Sequence, residues 1–411
     1  MEFFNENDIT LILNQCGISK FNHLNWTVKD YSDELVGYLG EHLSLTVYFE
    51  TENDTRAMNF FIKCIPRFDE WKANYLREMM FFNKEYVMLS SLFKKFQDPD
   101  GNRKWRPKLL YIKKELFVFE DVTQIGYTMP NNLITLNYDD ILATVTSLAR
   151  FHAQSFIYEE RKTKELKRPY RIWEDYKEYL CEPKKTQSWR DTGMKAVVDF
   201  LRVFSQFKLL PNFMNIIEEI IPKLFIAAEE QMKPHSKVRN VVIHRDIWSN
   251  NIFLKKQENG KIHALLIDYQ TVLYSTPMLD LSSLLYFNTT MSFRNQNTKK
   301  IIEYYYNVLS KELALENIDI QYIMDKNDIM KTYEESLVFA LTQASLIVPI
   351  TAMTNEKRKE YFDNPETSFK INCISRSEEF IEVARENSEY KNRVIELLDE
   401  IVERFKAFST K

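Results

Sequence analysis

Strand-type patterning in this 411-residue chain is concentrated in roughly its first 120 residues, and long helical patterns then take over. That switch limits the folds open to it. "LSLTVYFE", residues 43–50, alternates, with Leu43, Leu45, Val47 and Phe49 on one face. "TENDTRA" reads as a turn and "MNFFIKCIP" as a second strand, so the two form a hairpin. "NYLREMMFFNKEYVMLSSLF" then sets Tyr75, Met79, Phe82, Tyr86 and Leu89 at helical spacing, and "ELFVFEDV" is another strand. From "NYDDILATVTSLARFHAQSF" onward helical patterns dominate, broken only by short strands at 241–243, 252–254 and 264–267. This is an α+β layout of two lobes, a strand-rich one over residues 1–122 and a helical one over 123–411. With seven glycines in the whole chain and no low-complexity linker, the lobes should pack tightly.

Composition removes several classes. Hydrophobic residues make up 45% and aromatics 14%, enough for a sizeable core. A net charge of -4 and a pI near 6.0 give no general attraction to nucleic acid or anionic membrane. The basic stretch "RKTKELKRPYR" reads as a solvated helix face. Cys16, Cys64, Cys181 and Cys373 have no metal-ligand spacing. "MEFFNENDITLILNQCG" has neither the basic start nor the apolar run of a signal peptide. "LVFALTQASLIVPITAM" is interrupted by polar residues and Pro349, which suits a buried helix and no membrane span. A reduced, cytoplasmic protein is expected.

Chemistry gathers in "VVIHRDIWSNNIFL", residues 241–254, where two apolar runs bracket His244, Arg245, Asp246, Asn250 and Asn251. Asp246 and Asn251 follow one apolar strand, and Asp268 ends another, "HALLIDYQ". A hairpin through "KKQENGK" would bring both acids to one mouth. Asn251 and Asp268 supply hard oxygens suited to Mg²⁺, and Asp246 is left to meet a substrate hydroxyl. The plainer alternative, that these residues only cap turns, explains each half of the pattern but not their pairing.

"HRDIWSNN" followed by "LLIDYQ" resembles the "HGDxWxxN … IDFQ" signature of the ecdysteroid kinase-like family, with Arg245 standing where that pattern has glycine. The family is similar in turn to choline and aminoglycoside kinases, which share the protein-kinase fold. The resemblance implies ATP and Mg²⁺ as cofactors, Asp246 as catalytic base, Asn251 and Asp268 as metal ligands, and a structural role for His244. It also calls for a strand lysine on the phosphates and a helical glutamate to steady it. Lys63 is the only charge within "MNFFIKCIP", and burying it requires partners. Glu78, at the edge of the apolar stripe, is the expected partner, ahead of Glu70 and Glu85. "LFVFEDV" is similar to the family's hinge, so backbone groups from Glu120 to Val122 would meet adenine. "VGYLGEHLSLTV" offers Gly37 and Gly40 where a phosphate-covering turn belongs, though it is neither G-x-G-x-x-G nor the family's "GxNxxS". Gly40 and Ser44 are carried as candidate phosphate contacts. His152, in "SLARFHAQSF", reads as packing, and Asp280 as a brace for the catalytic loop.

The expected function is an ATP-dependent O-kinase acting on a small hydroxylated, apolar molecule: an ecdysteroid, another sterol-like alcohol or a xenobiotic. A protein kinase is disfavoured because only eleven residues separate Asp268 from Asp280, too few for a peptide-ordering loop. A choline- or ethanolamine-type kinase would need a cage for a cation; Trp173, Glu174, Asp175 and Tyr176 could be miscast as one, but such a cluster is more often a helix surface. A catalytically silent binding protein is the alternative from another class, but the base, the metal acids and the lysine are all retained.

Overall fold

Alternation at the front of the chain becomes a five-stranded antiparallel sheet of order β1-β2-β3-β5-β4. The strands are β1 (Asn22–Asp30), β2 (Glu41–Glu50), β3 (Thr55–Cys64), β4 (Leu109–Lys113) and β5 (Leu116–Glu120). The computed structural model describes residues 3–31, 39–52, 54–97, 100–183 and 188–405. β2 and β3 form the expected hairpin, pairing Leu43 with Ile62 and His42 with Lys63. Period-two geometry then sorts the side chains. Leu43, Leu45, Val47, Phe60, Ile62 and Val118 point to one side, where helix α1 (Glu6–Gln15) covers them in a small core. His42, Phe61, Lys63 and Phe119 point to the other, into a cavity between the sheet and the helices.

The helix expected after β3 is broken. α2 (Glu70–Glu78) ends at Met79, Met80 turns left-handed (φ 59°), and α3 (Phe81–Val87) starts on a new phase. Such a turn in a non-glycine residue resets which faces point inward. Phe82, Leu89 and Phe93 join a larger core that runs without interruption into the helical lobe.

That lobe is organised on the helix Tyr138–Leu166, capped by Asn137, whose side chain accepts the Asp140 N–H. The helix packs along β8 (Ile262–Leu266) and β6 (Val241–Ile243). Its serines tie it to both: Ser147 Oγ donates to the Ala264 carbonyl (2.6 Å), and Ser155 Oγ accepts the Val242 N–H (3.0 Å). β7 (Ile252–Lys256) pairs with β8 as the expected hairpin, and β6 pairs with β9 (Leu273–Ser275), a strand too short to read from sequence. The apolar run around Pro349 is the buried helix Lys326–Thr351, packed on the helix Met278–Asn288. Among the described residues no single helix is long and apolar enough to cross a membrane. The fold is α+β, with a small antiparallel-sheet lobe and a large, mostly helical one.

Candidate active site

The β7–β8 hairpin sets the geometry. Its register pairs Ile252 with Leu266, so Asn251 and Ile267 lie side by side and the Ile267 N–H donates to the Asn251 carbonyl (3.1 Å). Asp268 follows directly, in a left-handed conformation (φ 69°) that turns the chain sharply out of the strand. Asp246, Asn251 and Asp268 therefore line one cavity, together with Lys63 and Gly40.

The loop carrying Asp246 is held by buried polar groups. Asp280 accepts the N–H groups of His244 and Arg245, each at 2.6 Å, and also meets His152 Nε2 (3.0 Å). His152 Nδ1 in turn meets Tyr305 Oη (2.8 Å), so its packing role includes orienting Asp280. His244 Nε2 lies 2.8 Å from the Ile267 carbonyl, which can only accept. The proton is therefore on Nε2, and Nδ1 accepts the Asp246 N–H (3.3 Å). Burial pushes the His244 pKa down, in keeping with this neutral tautomer. Arg245 is left-handed (φ 74°), the conformation that suits glycine, and its guanidinium pairs with Glu182.

Asn251 Nδ2 donates to the Asp246 carbonyl (2.8 Å) and to Asp246 Oδ2 (3.2 Å). Its donor side is thus committed to the loop, and its carbonyl oxygen is the atom it can offer a cation. Among the described residues Asp246 Oδ1 is buried without a hydrogen-bond partner, which is costly for an ionised carboxylate. Burial, reinforced by the neighbouring Asp268, pushes the Asp246 pKa up to about 7.

Lys63 is only 5% exposed, and its ammonium sits between Glu85 Oε2 (2.5 Å) and Asp268 Oδ1 (2.7 Å). Burial pulls its pKa down, but the two carboxylates outweigh that and raise it, so it stays charged. Asp268 Oδ2 accepts from Gln270 Nε2 (3.2 Å), and Glu85 Oε1 accepts the Tyr269 N–H (3.1 Å). One buried network thus joins β3, α3 and the turn after β8.

Among the described residues no set of three or more His, Cys, Asp or Glu could hold a metal alone. Mg²⁺ does not need one, because it commonly takes one or two carboxylates and completes its shell with phosphate oxygens and water. Asp268 and Asn251 fit that pattern.

At the sheet end, Leu39, Phe61, Phe119, Val122, Met129 and Phe253 make an apolar slot. Glu120 Oε1 is taken by Lys104 and by the Lys108 N–H (2.5 Å), and the Glu120 N–H donates to the Lys108 carbonyl (3.0 Å). Asp121 caps the following turn through Thr123 and accepts from Tyr31 Oη (3.1 Å), a structural role. At Gly40 a Cβ would meet nothing closer than Lys63 Cε at 3.5 Å, so glycine is not required there by space. Ser44 lies in β2 opposite Phe61 and is not among the residues lining the cavity. Gly37 falls outside the described residues.

A family model, the ecdysteroid kinase-like family, matches residues 35–318. The chain belongs to that family. No curated protein matches it at a significant level. Among solved structures, similar ones include an ethanolamine kinase from Plasmodium vivax (11% identity, 92% of this chain and 86% of that one, TM-score 0.39). A microcompartment-associated aminopropanol kinase aligns over 98% of each chain (11% identity, TM-score 0.41). The GDP complex of an aminoglycoside 2'-phosphotransferase aligns over 97% of this chain and 99% of that one (11% identity, TM-score 0.35).

In this ecdysteroid kinase-like chain the glutamate beside Lys63 is Glu85, which corrects the expectation of Glu78. One unbroken helical stripe through "LREMMFFNKE" would turn Glu78 inward, whereas the left-handed Met80 separates the two halves. Glu78 therefore ends α2 in an exposed position, and Glu85 is buried in α3. A deeply apolar neighbourhood around one acid was the available signal, since Phe81, Phe82 and Tyr86 flank Glu85. Glu85→Gln is expected to weaken nucleotide binding on the order of tenfold or more, the scale of a lost charge-assisted bond. Glu78→Gln is expected to change it by less than about twofold, as for most surface changes. Equilibrium titration of both variants with Mg·ATP checks this. The Trp173–Tyr176 cluster is not a cation cage: Trp173 stacks on Tyr274, Glu174 pairs with Arg168, and none of the four residues lines the cavity.

Proposed function

We propose that this ecdysteroid kinase-like protein is an ATP-dependent kinase that phosphorylates a hydroxyl group of a small, largely apolar alcohol, such as an ecdysteroid or a xenobiotic. The observation that carries the reading is the convergence of Lys63, Asp246, Asn251 and Asp268 on one cavity, with Asp246 Oδ1 buried and, among the described residues, unpartnered. The slot lined by Phe61, Phe119, Val122 and Phe253 suits a purine, with hinge backbone at its edge.

Lys63 and the hinge orient the nucleotide so that its terminal phosphate lies before Asp246. Mg²⁺, when held by the oxygens of Asp268 and Asn251, supplies neutralisation of the charge on the phosphates. Asp246 accepts a hydrogen bond from the acceptor hydroxyl, aims it and takes its proton as transfer proceeds. A pKa near 7 fits that task, since the carboxylate is substantially ionised at neutral pH yet basic enough to hold a proton. Beyond Asp246 the cavity wall is Tyr75, Phe81, Trp189, Ile347, Ile350 and Phe362, which supports an apolar acceptor.

Incubating the protein with ATP, Mg²⁺ and a panel of hydroxylated steroids, plant metabolites and amino alcohols, then searching for products heavier by one phosphate, tests the reading. Phosphorylation confined to small cationic amines would replace it with the choline- or ethanolamine-type alternative. No product and no nucleotide binding would favour a silent binding protein.

A further inference from the structure

Among the described residues at the acceptor end of the cavity, cations outnumber anions, and within that set several of their N–H groups lack hydrogen-bond partners. Arg245 lines the wall; its Nη1 is on Glu182, but its Nε is buried without a hydrogen-bond partner. Behind it stands Arg190, 5% exposed, in the helix Ser188–Phe204. Its Nη1 donates to Oε1 of the cavity-lining Gln343 (3.3 Å), its Nε is 3.5 Å from Glu229, and its Nη2 has no partner. Arg376, fully buried, lies over the ring of Trp189, another wall residue, and donates to its carbonyl, leaving Nε and Nη1 unmatched. Lys84, also buried, donates to the Cys181 carbonyl (2.7 Å).

Against these four buried cations, the described residues set one mostly buried carboxylate, Glu182, together with the half-exposed Glu229 and the exposed Asp191. Asp246 and Asp268 face the same cavity, but from the end where Lys63 and a metal would occupy them. A fold gains nothing from burying guanidinium groups with unmatched N–H donors unless something else completes them.

We infer that the acceptor is an alcohol that also carries an oxyanion (carboxylate, sulfate or phosphate), bound on an apolar frame with the anion at Arg245 and within the field of Arg190. This rests on the kinase reading and narrows its substrate class. Arg245 lines the cavity wall, and guanidinium is the side chain best matched to a planar or tetrahedral oxyanion. Phe81, Trp189, Ile347 and Ile350 supply the apolar surround that strengthens such a contact. Burial pulls the Arg190 pKa down to about 10, Arg376 to about 9 and Lys84 to about 8, so an anion arriving there relieves unfavourable desolvation. A cationic amino alcohol meets the opposite field.

Matched pairs test it: bile-acid carboxylates against their carboxamides, and hydroxysteroid sulfates against the parent alcohols, titrated calorimetrically into the full chain. The expected result is that in at least one pair the anionic member binds about tenfold to a hundredfold more tightly. The preference should shrink in Arg245→Gln and Arg190→Gln and persist in Arg190→Lys, each checked for an unchanged melting profile. Equal binding within every pair, or a preference surviving both neutralising substitutions, overturns the inference. The wild-type comparison decides alone if neither variant folds. Titrating Mg·ATP into the same samples keeps the two readings apart. Anion preference without nucleotide binding would sink the kinase and keep the anion site; nucleotide binding without anion preference would do the reverse.

Discussion

Asp246→Asn should slow phosphate transfer by on the order of 10²–10⁴-fold, the range for losing a positioned general base, while Mg·ATP affinity stays close to that of the unaltered protein. In the proposed mechanism Asp246 meets the acceptor hydroxyl, whereas Asp268 holds metal and Lys63, so Asp268→Asn should lose Mg²⁺-dependent nucleotide binding together with turnover. Measuring affinity and rate on both variants separates the roles. If Asp246→Asn loses nucleotide as badly as Asp268→Asn, the division is wrong. The raised Asp246 pKa adds two pH signatures. Turnover should climb as pH rises to about 7 and level off above it, since the ionised carboxylate is the active form. Stability should move the other way. Between its ordinary value of 3.8 and about 7 the folded protein holds a proton that the unfolded chain has released, so stability falls as pH rises through that window. Above it the full penalty applies. Asp246→Asn removes the penalty, so in the absence of metal the variant should melt above the unaltered protein at pH 8. The gap should close toward pH 4. A variant that melts lower at pH 8 would contradict this.

Lys63→Ala is expected to do double damage. Nucleotide binding should fall beyond the range of a standard titration, because the phosphates lose their buried cation. The fold should also weaken by about 3–5 kcal/mol, because Glu85 and Asp268 are left near each other without the ammonium between them. With both acids uncompensated their protonation becomes favourable in the folded state, so the variant should regain stability as pH is lowered. Denaturant melts at two pH values and an ATP titration read both effects. A surface lysine would show neither, and unchanged values in both would remove Lys63 from the site.

Which parts of this were legible in the sequence follows from where side chains had to be buried. β2 and β3 alternate because one face is packed against α1, and that burial is written as a period of two. β1, at the sheet edge, carries the same alternation in Leu24, Trp26 and Val28, but these are only half-buried against that core, so its trace is fainter. "HRDIWSNN" and "IDYQ" stand out because polar residues are trapped between apolar strands, and the hairpin that brings them to one mouth is implied by spacing. The exchange of Glu78 for Glu85 has a different origin. Nothing in "REMMFFN" favours a left-handed residue, so the break at Met80 is imposed by packing and is invisible to any periodicity argument. The acceptor wall was equally hidden, since Tyr75, Trp189, Arg245 and Gln343 come from four distant segments.

Arg245 bears on how related sequences should be compared. An L-residue held in the left-handed region costs about 1–2 kcal/mol, which glycine avoids. Arginine is tolerable here because Glu182 meets its side chain, so the two positions share one account of why each is occupied as it is. Across an alignment they should therefore co-vary: relatives with arginine at the equivalent of 245 should keep an acid at the equivalent of 182, and relatives with glycine there should be free to lose it. Arginine without the acid in most such relatives would show the pairing to be incidental. Only the loss of the acid while arginine remains crosses a less stable intermediate, so the acid should be lost in lineages that already carry glycine and arginine should arise where the acid is already present.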